Sequence, residues 1–163
     1  MQIYLLRHAI AEDGRPGSSD SERALVPEGR KKLKEVLRLA RQADTAVSLI
    51  LTSPYRRARQ TADMVADLLA PEAEMLETST LTPDGRADLV WQEIRAHRPV
   101  DSVMLVSHEP LISSVAAYLL NAPALRIDFK KGGLMRIDVE SVGLQPHGVL
   151  KWYVTSRLAA AGA

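Results

Sequence analysis

The stretch Ile3-Tyr4-Leu5-Leu6-Arg7-His8-Ala9 decides how this chain reads. Its apolar run reads as a short buried strand, and the run stops abruptly at two side chains able to handle a phosphate. Open α/β sheets bind ligands at the carboxyl ends of their strands. A cation beside a nucleophile at that position is therefore a candidate site, and the rest of the chain can be read as its support.

Outward from this strand, Ile10 to Ser21 is polar, with Pro16 and Gly17 marking a loop of the kind that often covers a site. Pro27 can open a helix, and Leu33, Val36, Leu37 and Ala40 recur at helical spacing opposite a Lys/Arg face. Val47 to Leu51 reads as a second strand. Ser53 is expected to cap the next helix, with Pro54 in its first turn and Ala58, Thr61, Ala62, Val65, Leu68 and Leu69 on its buried face. The helix should end before Pro71. Glu74 to Thr78 reads as an edge strand and Thr82-Pro83-Asp84-Gly85 as a turn. Leu89, Trp91 and Ile94 belong to a helix ending near Pro99. Val103 to Val106 repeats the buried-strand signal and runs into Ser107-His108-Glu109-Pro110. Leu111, Ile112, Val115, Ala116, Leu119 and Leu120 then follow at helical spacing. Leu134 to Val139 and Val149 to Thr155 alternate as an antiparallel pair, and Leu158 to Ala163 is expected to fray. Strands alternating with helices argue an α/β fold, a three-layer α/β/α sandwich on a mostly parallel central sheet, with residues 1–163 as a single domain.

Composition narrows the classes. Hydrophobic residues at 46% and charged residues at 25% match soluble globular proteins, which argues against disorder and fibrous structure. Lys and Arg number 21 against 20 Asp and Glu, so no global field attracts nucleic acid or an anionic membrane, and any anion site must be local. The chain holds no cysteine, which removes disulfides, thiolate catalysis and Cys-based metal sites. It opens as a strand without a secretory signal, and no apolar run nears the roughly 18 residues of a membrane span. A cytoplasmic location is the expectation.

Three junctions carry the chemistry: Arg7-His8, the segment Ser53-Pro54-Tyr55-Arg56-Arg57-Ala58-Arg59-Gln60-Thr61, and Ser107-His108. In a parallel sheet they share one edge. Two imidazoles and two guanidiniums converging there would hold a tetrahedral dianion, with the Arg forks matching phosphate oxygens and a His placed for attack or proton transfer. Helix amino termini at the second and third junctions favour the same charge.

On these residues the chain resembles the histidine phosphatase superfamily, the fold of phosphoglycerate mutases, over almost its whole length. Within that superfamily it looks like the SixA-type phosphohistidine phosphatases. The resemblance rests on Asp20-Ser21-Glu22-Arg23-Ala24-Leu25 with Gly29, on Ser53-Pro54 leading to Arg57-Ala58-Arg59-Gln60-Thr61, on Leu81-Thr82-Pro83-Asp84-Gly85, and on Val106-Ser107-His108-Glu109-Pro110. It implies His8 as the nucleophile that becomes phosphorylated, Arg7 and Arg57 as phosphate-binding arginines, and His108 as the second histidine. Arg23 stands either as a direct substrate contact or as a loop anchor paired with Asp20. The scheme needs no cofactor and no metal. Its implied partner is a phosphohistidine-containing protein, with phosphate as the bound anion; no nucleic acid or membrane partner is expected, and the oligomeric state is left open.

Two departures stand out. Ala9 occupies a position where much of the superfamily has glycine, so the turn after His8 must accept a Cβ. No residue matches the superfamily's usual proton-donating carboxylate; Glu74, Glu77, Asp84 and Glu109 are candidates by sequence proximity. An alkoxide leaving group needs such a donor, whereas a protonated phosphohistidine leaves as neutral imidazole, which favours a phosphoramidate substrate. The alternatives are a phosphomonoesterase acting on a small phosphorylated metabolite or nucleotide, and a non-catalytic phosphate-binding scaffold. His97 and His147 read as surface residues, Arg56 and Arg59 as solvated, and Trp91 and Trp152 as packing.

Overall fold

Strand β1 (Gln2–Arg7) lies at the middle of the molecule because its apolar residues have two faces to cover. Ile3, Tyr4, Leu5 and Leu6 are all fully buried, and each large apolar side chain taken from water contributes about 1.5–3 kcal/mol. A computed structural model describes residues 1–162. In it β1 is joined by β2 (Leu49–Thr52), β3 (Glu74–Glu77), β4 (Ser102–Ser107), β5 (Leu134–Val139) and β6 (Gly148–Val154) in one sheet of order β3-β2-β4-β1-β5-β6. The pairs β3·β2, β2·β4 and β4·β1 are parallel. β5 and β6 are added antiparallel at the far side, as the alternating tail predicts.

Helices α1 (Pro27–Gln42), α2 (Arg56–Leu68) and the short α5 (Ser156–Ala161) cover one face; α3 (Ala87–Ala96) and α4 (Leu111–Leu119) cover the other. The two-residue period of the strands divides the core accordingly. Tyr4, Leu6, Ile50, Met104 and Val106 face α1, α2 and α5, whereas Ile3, Leu5, Leu51, Val103 and Leu105 face α3 and α4. The expected three layers are present, and the parallel strands bring the three chemical junctions to one edge. Register fixes their relative height: Arg7 lies opposite Ser107, and Thr52 opposite Val106.

Four local expectations are corrected. Ser53 does not cap α2: the cap position is Tyr55, with no side-chain cap bond, and the Ser53 hydroxyl is directed to His108 instead. Leu68, assigned to the buried face of α2, ends the helix at 36% exposure because the chain turns away there. The tail does not fray over its described length. Thr155 caps α5 by accepting from the Leu158 N–H, and Ala159 is fully buried against the core beside α1. Ala163, the last residue of that expected frayed tail, lies outside the described residues. Strand β2 also begins two residues later than the apolar run suggests.

Candidate active site

At the carboxyl edge of the sheet, β1 ends in Arg7 and delivers His8, and β4 ends in Ser107 and delivers His108. The His8 N–H donates to the Ser107 carbonyl at 2.9 Å, which extends the ladder by one residue and locks the two histidines side by side. Their ring centroids are 5.0 Å apart. His8 is 5% exposed and His108 1%. Buried polar rings need partners. The Nδ1 of His8 lies 2.7 Å from the Ala9 carbonyl, which can only accept, so Nδ1 carries the proton and Nε2 keeps its lone pair. That lone pair accepts from Arg57 Nε at 3.2 Å.

Arg57 reaches this position from the first turn of α2 and is itself held by Asp20. Its two terminal nitrogens donate to the Asp20 carbonyl at 2.8 Å and to the Asp20 carboxylate at 3.1 Å. Three of the five guanidinium N–H groups are engaged by His8 and Asp20, leaving donors for an anion. Arg7 donates from Nη1 to the Phe129 carbonyl at 2.6 Å, while its buried Nε has no partner among the described residues. His108 Nε2 lies 2.8 Å from the Ser53 hydroxyl, which also accepts from the Tyr55 N–H at 3.3 Å. Its Nδ1 is buried without a partner. Tyr55 closes the arrangement, with its ring edge-on to His108 at 5.1 Å and beneath the Arg57 guanidinium at 5.1 Å.

Burial dominates the titration of both histidines. It lowers each from 6.5 to about 3, assisted at His8 by the His108, Arg57 and Arg7 charges and at His108 mainly by Arg57. The pair is therefore neutral at pH 7: a free imidazole base lies between permanent cations. An arriving phosphoryl dianion acts in the opposite direction through its charge, which stabilises a protonated His. Burial lowers both guanidiniums from their ordinary value, and they remain cationic at neutral pH.

The site so assembled contains Arg7, His8, Arg57 and His108, all named from sequence. Arg23 stands at its rim: Nε donates to the Asp20 carboxylate at 2.8 Å and Nη1 to the Glu12 carbonyl at 2.9 Å, so it braces the Asp20 loop. The carboxylates proposed from sequence are either placed away from the histidine pair or held by other partners. Glu74 is paired with Leu49 at the opposite end of β2, Glu77 pairs with Arg59, and Asp84 accepts from Thr82 at 2.8 Å. Glu109 accepts from the Ser113 N–H and hydroxyl at 3.0 and 2.7 Å. Asp20, which sequence reasoning left as a partner of Arg23 alone, is the carboxylate in contact with Arg57. Burial raises its pKa, but Arg57 and Arg23 outweigh burial and hold it lowered, so it is an ionised brace rather than a proton donor. His97 half-buries at the end of α3, His147 is exposed, Trp91 is buried in the core, and Trp152 packs on Tyr4.

From sequence Ser53 reads as a helix cap, Thr61 as a buried helix residue and Tyr55 carries no assignment; the structure gives all three a place at the site. The Thr61 hydroxyl donates to the Arg57 carbonyl at 2.7 Å and accepts from the Ala9 N–H at 3.1 Å, tying α2 to the turn after His8. Gln60 accepts from the Leu25 N–H at 2.8 Å and fixes the covering loop. The puzzle of Ala9 dissolves, because it is not among the residues of positive φ and its methyl group is buried in the core.

Comparison with known proteins agrees with this geometry. The model of the histidine phosphatase superfamily (branch 1) matches residues 3–82, which contain Arg7, His8 and Arg57. The chain is 31% identical to phosphohistidine phosphatase SixA of Escherichia coli K12 over 121 residues, 73% of this chain and 74% of that protein. An uncharacterised Picosynechococcus protein is 31% identical over 151 residues, 90% of each chain. Among solved structures, SixA complexed with tungstate superposes with a TM-score of 0.82 at 25% identity, covering 96% of this chain and 98% of the other. Sequence, fold and edge geometry thus agree that this chain belongs to the histidine phosphatase superfamily, branch 1, and is a phosphatase.

Proposed function

We propose that the chain hydrolyses phosphohistidine on a partner protein, with His8 as nucleophile, Arg7 and Arg57 as phosphate ligands and His108 as the second histidine. His8 Nε2 attacks phosphorus, the phosphorus–nitrogen bond to the substrate imidazole breaks, and that imidazole, already protonated on its other nitrogen, takes the bonding pair and leaves neutral. Water then attacks phospho-His8, releasing inorganic phosphate and restoring the free ring. The transition state is loose, so catalysis rests on positioning and on charge placed around the phosphoryl group. Arg57 must pass its Nε–H from His8 to the arriving anion, which frees the nucleophilic lone pair as substrate binds. In the tautomer where Ser53 donates to Nε2, His108 keeps its proton on Nδ1 as the donor for a phosphoryl oxygen.

The observation that carries the choice of substrate is the state of Asp20. The carboxylate in contact with the phosphate-binding Arg57 is held ionised by two guanidiniums, which suits a leaving group that needs no strong acid. Clefts lined by Arg7, Glu109 and Arg23, residues flanking the histidine pair, offer surface beside the site for a partner protein. The relatives named for phosphohistidine hydrolysis support the same reading.

A phosphorylated histidine-containing domain protein tests it. Wild type releases phosphate and forms an acid-labile phosphoenzyme, whereas His8→Ala does neither. Normal turnover by His8→Ala ends the proposal. The ester-hydrolysing alternative rests on Glu109, which adjoins His108 and whose charge acts on Arg7. Efficient hydrolysis of a phosphomonoester, abolished by Glu109→Gln, would establish that reading instead.

A further inference from the structure

Net charge over the chain is +1, yet positive charge is concentrated beside the phosphate pocket. A cleft of about 470 Å³ is lined by Arg7, Lys32, Lys130, Lys131 and Arg157, and by Asp128 as its one carboxylate. Asp128 pairs with Lys130 at 2.5 Å, and Lys32 pairs with Glu28 at 2.6 Å. Among the described residues, Lys131 and Arg157 are exposed cations with no carboxylate in ion-pairing distance. The cleft on the opposite flank, at Glu109, has no Lys or Arg in its lining. The cleft at Arg23 sets Arg15 and Arg23 against Glu12, Asp13 and Glu22, so among these three clefts the one at Arg7 is the one with an excess of cations.

The basic side is also firmly built onto the site. Phe129 is buried, its ring is 5.0 Å from Tyr153, and its carbonyl receives Arg7 Nη1. The Lys130 N–H donates to the Tyr153 hydroxyl at 2.7 Å. Gly132, at φ +71°, donates its N–H to the Arg7 and His8 carbonyls at 3.0 and 3.1 Å. The left-handed turn at Gly132 thus fastens the lysine-bearing segment to the end of β1 and holds Lys130 and Lys131 beside the nucleophile. Arg157 enters from the first turn of α5, whose buried Ala159 docks it on the core.

We infer that this cleft is a docking surface for an acidic protein face: carboxylates next to the phosphohistidine of the partner lie along Lys130, Lys131 and Arg157 while the phosphoryl group enters at Arg7. The inference rests on the phosphohistidine reading and adds to it the chemistry of the partner and the direction of its approach. Charge complementarity chooses this occupant, because an excess of cations contiguous with a phosphate ligand raises the encounter rate of an anionic face and orients it. A small phosphoramidate fills the Arg7–Arg57 pocket alone and gains little from cations farther along the rim.

The test pairs Lys131→Glu/Arg157→Glu with Lys34→Glu/Arg41→Glu, a double reversal of equal charge on the exposed side of α1. Substrates are free phosphohistidine and a phosphorylated histidine domain with acidic residues around its phosphohistidine, the latter also with those acids changed to amides. Binding of a fluorescein-labelled hepta-glutamate peptide is followed by anisotropy at low and high salt. The cleft reversal is expected to lower kcat/KM for the acidic domain by about tenfold, mainly through KM, with loss of salt dependence. It leaves free phosphohistidine and the amide domain nearly unchanged and removes peptide binding; the α1 reversal does none of this. Equal losses from both reversals, an equal loss on free phosphohistidine, or no loss on the acidic domain would overturn the docking surface. Should wild type cleave neither phosphohistidine substrate, the reaction reading falls, and peptide binding still decides the cleft.

Discussion

At the residue scale, the site is a set of polar groups whose partners are chosen by which atoms can donate. Ser53 shows how much depends on one hydroxyl. It is the protein group bonded to His108, and without it both ring nitrogens are buried unpaired. Losing a buried hydrogen-bond partner costs about 1–3 kcal/mol, so Ser53→Ala should lower kcat/KM by roughly five- to a hundredfold. Ser53→Thr, which keeps the hydroxyl, should recover part of it. A merely structural role would lower the melting temperature without that recovery in steady-state assays. Asp20 argues likewise. Asp20→Asn keeps a side-chain acceptor near Arg57 but removes the charge that braces both arginines. The expected outcome is a raised KM with kcat less affected, read on free phosphohistidine. Asp20 was visible in sequence only as a neighbour of Arg23, because its contact with Arg57 spans 37 positions.

At the element scale, helices were legible where burial followed the 3.6-residue period, and α1 buries Leu33, Val36, Leu37 and Ala40 as that period requires. Ser53-Pro54 is a good cap signal, yet α2 starts at Arg56 and the Ser53 hydroxyl goes to a tertiary partner, His108. Gly29 makes a sharper case. In a helix, Gly→Ala normally gains about 0.5–1 kcal/mol. Here a Cβ would lie 2.2 Å from the Ile10 carbonyl oxygen and 2.9 Å from its nitrogen, both backbone atoms with no flexible end to yield. Overpacking of this kind costs about 1–3 kcal/mol. Gly29→Ala should therefore destabilise the protein, and chemical denaturation should show a lower midpoint with an unchanged m-value. A rise in midpoint would show that the Ile10 loop yields freely.

At the scale of the whole molecule, the buried neutral histidines link stability to pH. Both have folded pKa values of about 3 against 6.5 for an exposed ring. Between those values the unfolded chain binds more protons than the folded one, so stability rises with pH across this window. The contribution is fully present above about pH 6.5 and is lost as pH falls toward 3. Denaturation midpoints measured from pH 7 to 4 should fall, and His8→Ala/His108→Ala should flatten that slope. A slope unchanged in the double variant would mean that other groups carry the acid sensitivity. Under the proposed function, phosphate should oppose the loss, because an anion held between Arg7 and Arg57 in the folded state favours protonated imidazole.

By itself, the sequence determined the strand–helix alternation, the placement of Arg7, His8, Arg57 and His108 at the ends of strands or starts of helices, and the antiparallel tail. Each follows from local periodicity or from a short motif, and such signals survive without knowledge of distant neighbours. Only the tertiary structure decided which polar groups meet. The tautomer of His8, the pairing of Ser53 with His108, the brace of Asp20 on Arg57, and the basic cleft built from Lys32, Lys130, Lys131 and Arg157 all join distant parts of the chain. The physical reason is that hydrogen bonds and charges act over a few ångströms of space. Sheet order and register, rather than position along the chain, set those distances.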